Sequence, residues 1–368
     1  VDLEHWELDD YSYGAGVFGV LHNILYESLS QEFRINSHYD GAINFQAGLF
    51  MQEIEQEFDA YQYAANIGLL APDPITGNGY DYNKHHYLDT DVFSAFVAVY
   101  WDINDRTELT VGARYTDEEK DGKIEIPYVH LFLQGSFSAP PLIDGLEFED
   151  DNISPEIAIN YYLNDDVSVF AAYKEGFKSG GIDNSALPTA SLSPPDGDFG
   201  FLVYQSEEAD GFEVGMKGNF LNNSLRLNAT IFTYEYTDLQ VQLFNSTAIQ
   251  FSTFNASALE TEGLEFDLLW NTSVDGLTTR SAWAWTDTGY SEDFINATGE
   301  NLKGEDGAGS ADITGYVGFT YDAELTDNWR YNVSADARFT DDYAWTATVN
   351  PFMQDSFWVT DAAINVYS

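Results

Sequence analysis

Apolar and polar side chains alternate over long stretches of this chain, and the clearest case is WRYNVSADARFT, Trp329–Thr340. Successive side chains of an extended strand point to opposite faces. Trp329, Val333 and Phe339 would therefore lie on one face, and Arg330 and Arg338 on the other. A soluble sandwich would bury the apolar face as core, whereas a membrane barrel would turn it to lipid and line its lumen with the polar face.

The same period of two returns along the whole chain, with no sustained period of 3.6 that would predict a long helix. We predict about fourteen strands, many reaching the roughly 9 to 11 residues of a tilted membrane strand. The clearest apolar rows begin at Ile43, Phe93, Leu109, Pro155, Val167, Phe212, Leu225, Leu264 and Ile313.

The connections between these strands favour the membrane barrel. Links rich in Asn and Asp predict tight hairpins at 103–106, 163–166, 221–224, 271–276 and 325–328. Longer polar loops are predicted at 62–90, 117–151, 178–207, 291–312 and 341–356. Short and long links broadly alternate, as a barrel with short turns on one side of a membrane requires. The predicted fold class is therefore an all-β, transmembrane antiparallel β-barrel.

Composition agrees with that fold. Aromatic residues make up 16% of the chain, which suits girdles at two membrane interfaces. No apolar run approaches the roughly 18 residues of a membrane helix, so any span must be made of strands. The chain has no cysteine, which excludes disulfides, thiolate metal sites and thiol nucleophiles.

The charge balance excludes one class of partner. With 62 acidic and 14 basic residues the formal net charge is -48, so the chain should repel nucleic acid. Two interpretations remain: adaptation to salty or divalent-rich surroundings, or acidic loops that collect a cationic ligand or Ca²⁺.

Four segments, taken in order, resemble barrel strands of TonB-dependent outer-membrane receptors of the iron-complex type. They are 90–122, 154–181 with the motif Tyr-Lys-x-Gly-Phe-Lys-x-Gly-Gly, 207–237, and 259–270 with the sequence LETEGLEFDLLW. The resemblance covers most of 27–343. It implies a receptor in the outer membrane of a Gram-negative bacterium that binds a scarce nutrient and imports it with energy from the TonB–ExbB–ExbD complex.

The resemblance also implies partners. These are outer-membrane lipid and lipopolysaccharide, and a small-molecule or metal-chelate ligand, of which an iron chelate is commonest in the family. An oligosaccharide, a cobalamin-like molecule or another metal complex stays open. An acidic vestibule would disfavour strongly anionic ferric chelates unless local Arg or bound cations offset it.

The chain departs from the family pattern in three ways. It shows no plug domain and no TonB box, only about fourteen of the 22 strands of plugged transporter barrels are readable, and it stops at Tyr367 and Ser368 in a segment that resembles an internal strand. We expect residues 1–368 to be a partial barrel that lacks the plug, the first strands and the terminal strand. The alternatives are a passive porin-type channel and a secreted acidic all-β binding protein.

No catalytic constellation is visible, so we expect no enzyme and no resident cofactor, and an enzyme barrel is the weakest alternative. Glu265 and Asp267 share a strand face, where acid–base work is one interpretation. We favour a solvated lattice of lumen carboxylates paired with the inward arginines Arg226, Arg330 and Arg338.

Ligand contacts are expected from aromatic and imidazole side chains in loops and lumen, with ordinary loop packing as the alternative. His85 and His86 lie in a predicted Tyr-rich loop, YDYNKHHYLD, although adjacent side chains of an extended chain point opposite ways. Asp196 and Asp198, two residues apart in SPPDGDFGF, could coordinate Ca²⁺ or simply form an acidic turn. The candidate substrate-binding residues are Tyr80, Tyr82, His85, His86, Tyr87, Phe199, Phe201 and Tyr204.

Overall fold

The protein is almost entirely β-sheet in a computed structural model, which describes residues 2–10, 19–63, 72–135, 139–185, 197–245, 250–256, 258–296, 299–349 and 351–368. These residues form twenty strands and two one-turn 3-10 helices, Leu131–Leu133 and Gly200–Leu202. Among them, no helix has the length and apolar character needed to cross a membrane.

Fourteen strands form one antiparallel sheet, in which each strand pairs with the next one along the chain. Three pairs of short strands that lie in the connecting loops are not part of this sheet. The fourteen strands of the sheet are β1 (Asp2–Asp10), β2 (Gly19–Asn36), β3 (Ile43–Tyr63), β4 (Tyr82–Asn104), β5 (Thr107–Val129), β6 (Leu142–Asn164), β7 (Val167–Lys178), β10 (Glu207–Phe220), β11 (Leu225–Thr237), β14 (Ala258–Asn271), β15 (Leu277–Tyr290), β16 (Ile313–Thr326), β17 (Trp329–Thr340) and β20 (Phe357–Tyr367).

The other six strands pair within the loops. They are the hairpins β8 (Gly181–Ile182) with β9 (Val203–Tyr204), β12 (Gln240–Asn245) with β13 (Gln250–Asn255), and β18 (Tyr343–Ala344) with β19 (Met353–Gln354). The all-β antiparallel prediction and the number of strands in the main sheet are confirmed.

Short and long connections alternate strictly between the two edges of the sheet. Links of two to six residues at 37–42, 105–106, 165–166, 221–224, 272–276 and 327–328 define the short-link edge. All the longer connections return at the opposite, long-loop edge. This is the order that the sequence predicts for a barrel.

Two of the predicted loops are wrong in extent. β4 begins at Tyr82, β5 continues to Val129 and β6 begins at Leu142, so much of 62–90 and 117–151 is strand. The alternation persists there, but one of its faces is acidic, and such a face resembles a polar loop in sequence. His85 and His86 consequently lie in a strand and not in a loop.

The sheet has two chemically different faces. Val99, Val111, Ile157 and Phe212 lie in one cross-strand row and are all more than a third exposed. We call the face that carries them the outer face. The opposite, inner face carries ionic and hydroxyl side chains such as Arg114 and Lys174. An extended apolar surface without a protein partner indicates contact with lipid or another apolar environment.

Buried apolar clusters occur only at the long-loop edge among the described residues. Ile182 and Leu202, from the β7–β10 loop, pack on the inner face against β5 and β6, and we call this group the inner cluster. Gly122 allows the close approach, since a Cβ there would lie 2.5 Å from Ile182 Cδ1. The full inner cluster is Ile124, Ile126, Ile143, Leu146, Ile182 and Leu202.

Candidate functional site

The outer face carries an aromatic-bounded apolar belt. On β17, Trp329 and Tyr331 lie near the short-link edge, and Phe339 lies at the other end, with its ring 5.0 Å from that of Trp358. Ten residues separate Trp329 from Phe339, which is about 33 Å of strand, or about 25 Å of height at a tilt near 40°. That height is the thickness of the apolar band expected of an outer-membrane barrel.

Above the belt, the outer face of β3–β6 becomes acidic. Met51 pairs with Phe93, but the following rows oppose carboxylates directly across all four strands. Like charges in such positions are destabilising, and only water and counterions make them tolerable. The change marks where the sheet leaves hydrocarbon. The two acidic rows are Glu53, Asp91, Glu119 and Glu149, and then Glu55, Asp89, Asp121 and Glu147.

The inner face collects the cations of this acidic chain. The strand registers place eleven of the 14 Lys and Arg residues there, while Arg106, Lys123 and Lys303 lie in a turn, on the outer face and in a loop. The eleven are Arg34, Lys84, Arg114, Lys120, Lys174, Lys178, Lys217, Arg226, Arg280, Arg330 and Arg338.

Some of these cations bind neutral partners rather than carboxylates. Arg114 donates from Nη2 to Ser94 Oγ at 2.8 Å and from Nε to Thr116 Oγ1 at 3.3 Å. Its guanidinium also lies 5.5 Å and 5.8 Å from the ring centroids of Phe50 and Phe96. Rings and hydroxyls therefore hold Arg114 in place, and no carboxylate forms an ion pair with it among the described residues.

Glu265 and Asp267 do lie on the inner face, but within the described residues neither pairs with an arginine, and the predicted carboxylate–arginine pairs occur instead at Arg330 and Arg338. Asn228 is directly opposite Asp267 and donates from Nδ2 to both carboxylate oxygens, at 3.0 Å and 3.1 Å. The register between β11 and β14 explains why Arg226 does not reach Asp267, because it places Arg226 opposite Leu269. Arg330 pairs with Asp322 and Glu324, and Arg338 with Asp336 and Asp361. Both Glu265 and Asp267 line an open cleft of about 370 Å³.

Strand alternation separates the two neighbouring histidines. His86 is on the inner face, 2% exposed, and neither ring nitrogen has a hydrogen-bond partner among the described residues. Burial, and the nearby charge of Lys84, lower the pKa of His86 to about 4. His85 is on the outer face, where Nδ1 contacts Asp59 Oδ1 and the ring stacks on Tyr87.

The eight candidate ligand residues therefore do not form one site. Tyr82 and His86 are buried on the inner face, and Phe199 packs against the inner cluster, with Tyr204 paired to Gly181 beside it. Tyr80 stacks edge-on against Tyr61 and Tyr128 on the outer side, together with His85 and Tyr87. Phe201 is 52% exposed. Their role in binding stays a prediction.

The predicted calcium pair is only partly visible. Asp198 Oδ1 accepts a hydrogen bond from the Gly200 amide at 2.8 Å, which stabilises a local turn. Asp196 lies outside the described residues. In the described part of the chain no group of three or more His, Asp or Glu side chains could hold a metal ion. A calcium site there stays a prediction.

Two lysines that the sequence analysis missed, the buried Lys84 and the half-buried Lys120, hold the β7–β10 loop on the inner face. Lys84 Nζ donates to the Asn184 carbonyl, and Lys120 Nζ donates to the Gly180 carbonyl at 2.5 Å. Burial lowers the pKa of Lys84 to about 8, opposed by the negative charge of Asp183. Extending the alternation of β4 below residue 90 would have placed Lys84 on the polar face.

The Asp73 carboxylate holds a second loop, between β3 and β4, in place. Asp73 accepts hydrogen bonds from the amides of Ile75 at 2.7 Å, Thr76 at 2.9 Å and Leu131 at 2.9 Å, and from the Tyr128 hydroxyl at 3.1 Å. The amide donors above all hold the pKa of Asp73 well below its usual range. This carboxylate ties the β3–β4 loop to the end of β5.

Comparison with known proteins gives one family. The family model "TonB dependent receptor-like, beta-barrel" matches residues 3–367. No curated protein matches the chain. Solved structures with the same fold include the ferric yersiniabactin uptake receptor FyuA from Yersinia pestis, which is 14% identical with a TM-score of 0.73 over 95% of this chain and 48% of that one.

Two further structures widen the range of cargo among proteins of this fold. The siderophore receptor PiuA from Acinetobacter baumannii is 15% identical with a TM-score of 0.65, over 98% of this chain and 54% of its own. The copper transporter OprC is 13% identical with a TM-score of 0.65, over 94% and 49%. The chain thus spans about half the length of the proteins it resembles.

Proposed function

Because this chain belongs to the TonB-dependent receptor family, whose β-barrel strands it supplies, we propose that it is an uptake receptor for a scarce small solute. The proposed cargo is a metal chelate, with an iron chelate first. The proposed energy source is the TonB–ExbB–ExbD complex, acting through a plug domain.

Membership in the family places the chain in the outer membrane as a β-barrel. The family and the structural neighbours are receptors and transporters, so the expectation that the chain is not an enzyme is confirmed. The apolar belt fits this location. Its partners there would be the acyl chains of outer-membrane lipid and of lipopolysaccharide.

The observation that carries the proposal is the division of chemistry between the two faces. A passive apolar-lined cavity would need no cations, yet eleven Lys and Arg residues of a chain with net charge -48 lie on the inner face. Cations there favour cargo with anionic groups. By their titles FyuA is a ferric yersiniabactin uptake receptor, PiuA is a siderophore receptor and OprC is a copper transporter, which supports a metal complex without choosing one. Ca²⁺ at Asp196 and Asp198 remains an accessory part of the proposal.

Uptake of radioactive iron tests the proposal. The native strain, a strain without this protein, and a strain without TonB would be grown under iron limitation and supplied with ⁵⁵Fe bound to the chelators of the organism's own culture medium. We expect accumulation to fall in both deletion strains, and restoration of this protein to rescue only the strain that retains TonB.

Two outcomes would contradict the proposal. Unchanged accumulation in the strain without this protein would remove iron chelates as cargo. Accumulation that depends on this protein but persists without TonB would favour the passive channel, and steady ion conductance of the purified protein in planar bilayers would support that alternative.

A further inference from the structure

Two described segments of the β7–β10 loop, 180–185 and 199–204, lie against the inner face of β4, β5 and β6, and we call them the strap. The two segments pair with each other through the short strands β8 and β9. Ile182 and Leu202 pack in the inner cluster, and both side chains are buried. The Asp183 amide donates to the Leu202 carbonyl at 2.7 Å. The strap is therefore a folded unit that is docked on the strand wall.

Polar contacts join the strap both to the wall and to a second loop. Lys84 on β4 binds the Asn184 carbonyl of the strap. The buried carboxylate of Asp183 accepts hydrogen bonds from Ser185 Oγ at 2.6 Å and from the Thr253 amide at 3.0 Å. Because Thr253 belongs to β13, release of the strap would also free the β12–β13 hairpin at the long-loop edge.

His86 is a buried titratable side chain beside the contacts of the strap. It lies on the inner face of β4, two residues from Lys84, and it is directly opposite Ile124 of the inner cluster. The residue is 2% exposed, and neither ring nitrogen has a hydrogen-bond partner within the described segments. Lys84 binds the strap and Ile124 packs in the same cluster as Ile182, so the docked strap and the strand wall together shield the imidazole from water.

The charged groups in this region disfavour an imidazolium at His86. The Lys84 ammonium lies on the same face of β4 and repels a second positive charge. The Asp183 carboxylate of the strap acts on Lys84 and on the Tyr204 hydroxyl, and it already accepts the two hydrogen bonds described above. Burial above all, and then Lys84, lower the pKa of His86 from 6.5 to about 4.

The neighbouring strands supply no compensating charge directly opposite the imidazole. Phe58 of β3 and Ile124 of β5 are the residues opposite His86, and neither can titrate. Beyond Phe58, the ring of His22 on β2 lies 4.7 Å from the Phe58 ring. Protonation of His22 would add positive charge to this region, so it would oppose an imidazolium at His86 as well.

We propose that the strap is an acid-sensitive latch, which leaves the inner face when His86 takes up a proton. The docked strap holds the ring without water or hydrogen-bond partners, and burial of an unpaired charge is costly. Undocking hydrates the imidazolium. Since the pKa of His86 is about 4 with the strap docked and 6.5 for a hydrated imidazole, docking is strongest above about pH 6.5 and weakens as the pH falls towards 4.

Hydrogen exchange of the strap tests the latch. The full receptor in detergent micelles would be followed by mass spectrometry at pH 7 and pH 5, with each rate divided by the chemical exchange rate at that pH. We expect protection of the Asp183 amide to fall by up to about twentyfold between pH 7 and pH 5, as proton linkage with pKa values of 6.5 and about 4 requires.

His86→Leu and His86→Gln remove the titrating group, so both should keep the protection of the strap nearly constant between the two pH values. His85→Leu is the matched control, because His85 is the next residue of β4 but lies on the outer face. It should retain the native pH response. Heat-modified gel mobility would verify that each variant is folded.

Two results would overturn the proposal. The first is constant protection of the strap in the native protein. The second is an equal fall in both His86 variants, which would assign the acid response to another group such as Asp183 or His22. Because the measurement involves no transport, its result is independent of the uptake experiment.

Discussion

The substitution Val333→Arg tests whether the outer face contacts lipid. Val333 lies on β17 between the aromatic residues Trp329 and Phe339, and it pairs with Tyr321 and Ile364 on the neighbouring strands. It lies four residues from Trp329, which is about 13 Å along the strand and about 10 Å in depth at a tilt near 40°. Within a belt of about 25 Å, this position is close to the midplane.

An arginine at the midplane of a membrane barrel costs about 2 to 4 kcal/mol, falling to at most about 1 kcal/mol near the interfaces. Val333→Arg should therefore lower the free energy of unfolding from the bilayer by about 2 to 4 kcal/mol, which makes the folded barrel less stable. Ser334→Arg is the control, since Ser334 is the next residue of the same strand, is also half-buried and lies on the inner face. We expect it to change stability by less than about 0.5 kcal/mol.

Reversible folding into phosphocholine vesicles, followed by guanidinium titration with tryptophan fluorescence, measures both values. The reasoning would be refuted if Ser334→Arg cost more than Val333→Arg, because the polar side of β17 would then be the one away from water. A soluble protein that folds without detergent or lipid would contradict it equally.

Three further outcomes follow from local contacts. Because the pKa of Asp73 is lowered in the folded protein, its contribution to stability is complete above about pH 4, the unfolded value, and is lost as the pH falls towards the folded value. Asp73→Asn at neutral pH should speed hydrogen exchange of the Leu131 amide about tenfold. An unchanged exchange rate would show that Asp73 does not hold this loop in place. Asp121 is directly opposite Asp89 and Glu147 on the neighbouring strands. Asp121→Asn should therefore stabilise the fold by about 0.4 to 2 kcal/mol in low salt and have little effect in 1 M salt. A gain in stability that does not depend on salt would contradict this reasoning. His86→Leu removes a buried imidazole that has no hydrogen-bond partner within the described segments, and it should raise stability by about 1 kcal/mol. His85→Leu loses the contact with Asp59 and should not raise stability; chemical denaturation of the two variants decides between these outcomes.

The membrane-spanning half of the fold could be predicted from sequence because two constraints coincide there. Lipid on one side and a wet lumen on the other force a strict alternation, and the tight turns limit each strand end. The loop boundaries at β7, β10, β15, β16, β17 and β20 were accordingly predicted to the residue or nearly so. Where the outer face of β3–β6 leaves the membrane, an acidic row replaces the apolar one, and the pattern no longer distinguishes strand from loop.

The candidate site was harder to predict, because it depends on register and on how loops return to the sheet. Alternation correctly indicated that His85 and His86 diverge. Nothing in the sequence indicated that Asn228, and not Arg226, is opposite Asp267, since this pairing is set by the long link between β11 and β14. Likewise, the contact of Lys84 with the Asn184 carbonyl joins residues a hundred positions apart.

The net charge of the chain does not predict the charge of its cargo unless the positions of the charged residues are known. From composition, an acidic vestibule should disfavour anionic chelates. The structure places opposed carboxylates on the outer face of β3–β6 and most of the basic residues on the inner face. Outer-face carboxylates are hydrated and screened within about 8 Å at physiological salt, whereas inner-face cations act on a solute a few ångströms away. The inner face also carries carboxylates such as Glu213, Glu265 and Asp267, so an anionic solute there meets attraction only locally, at cations such as Arg114 and Arg280, and not from the face as a whole.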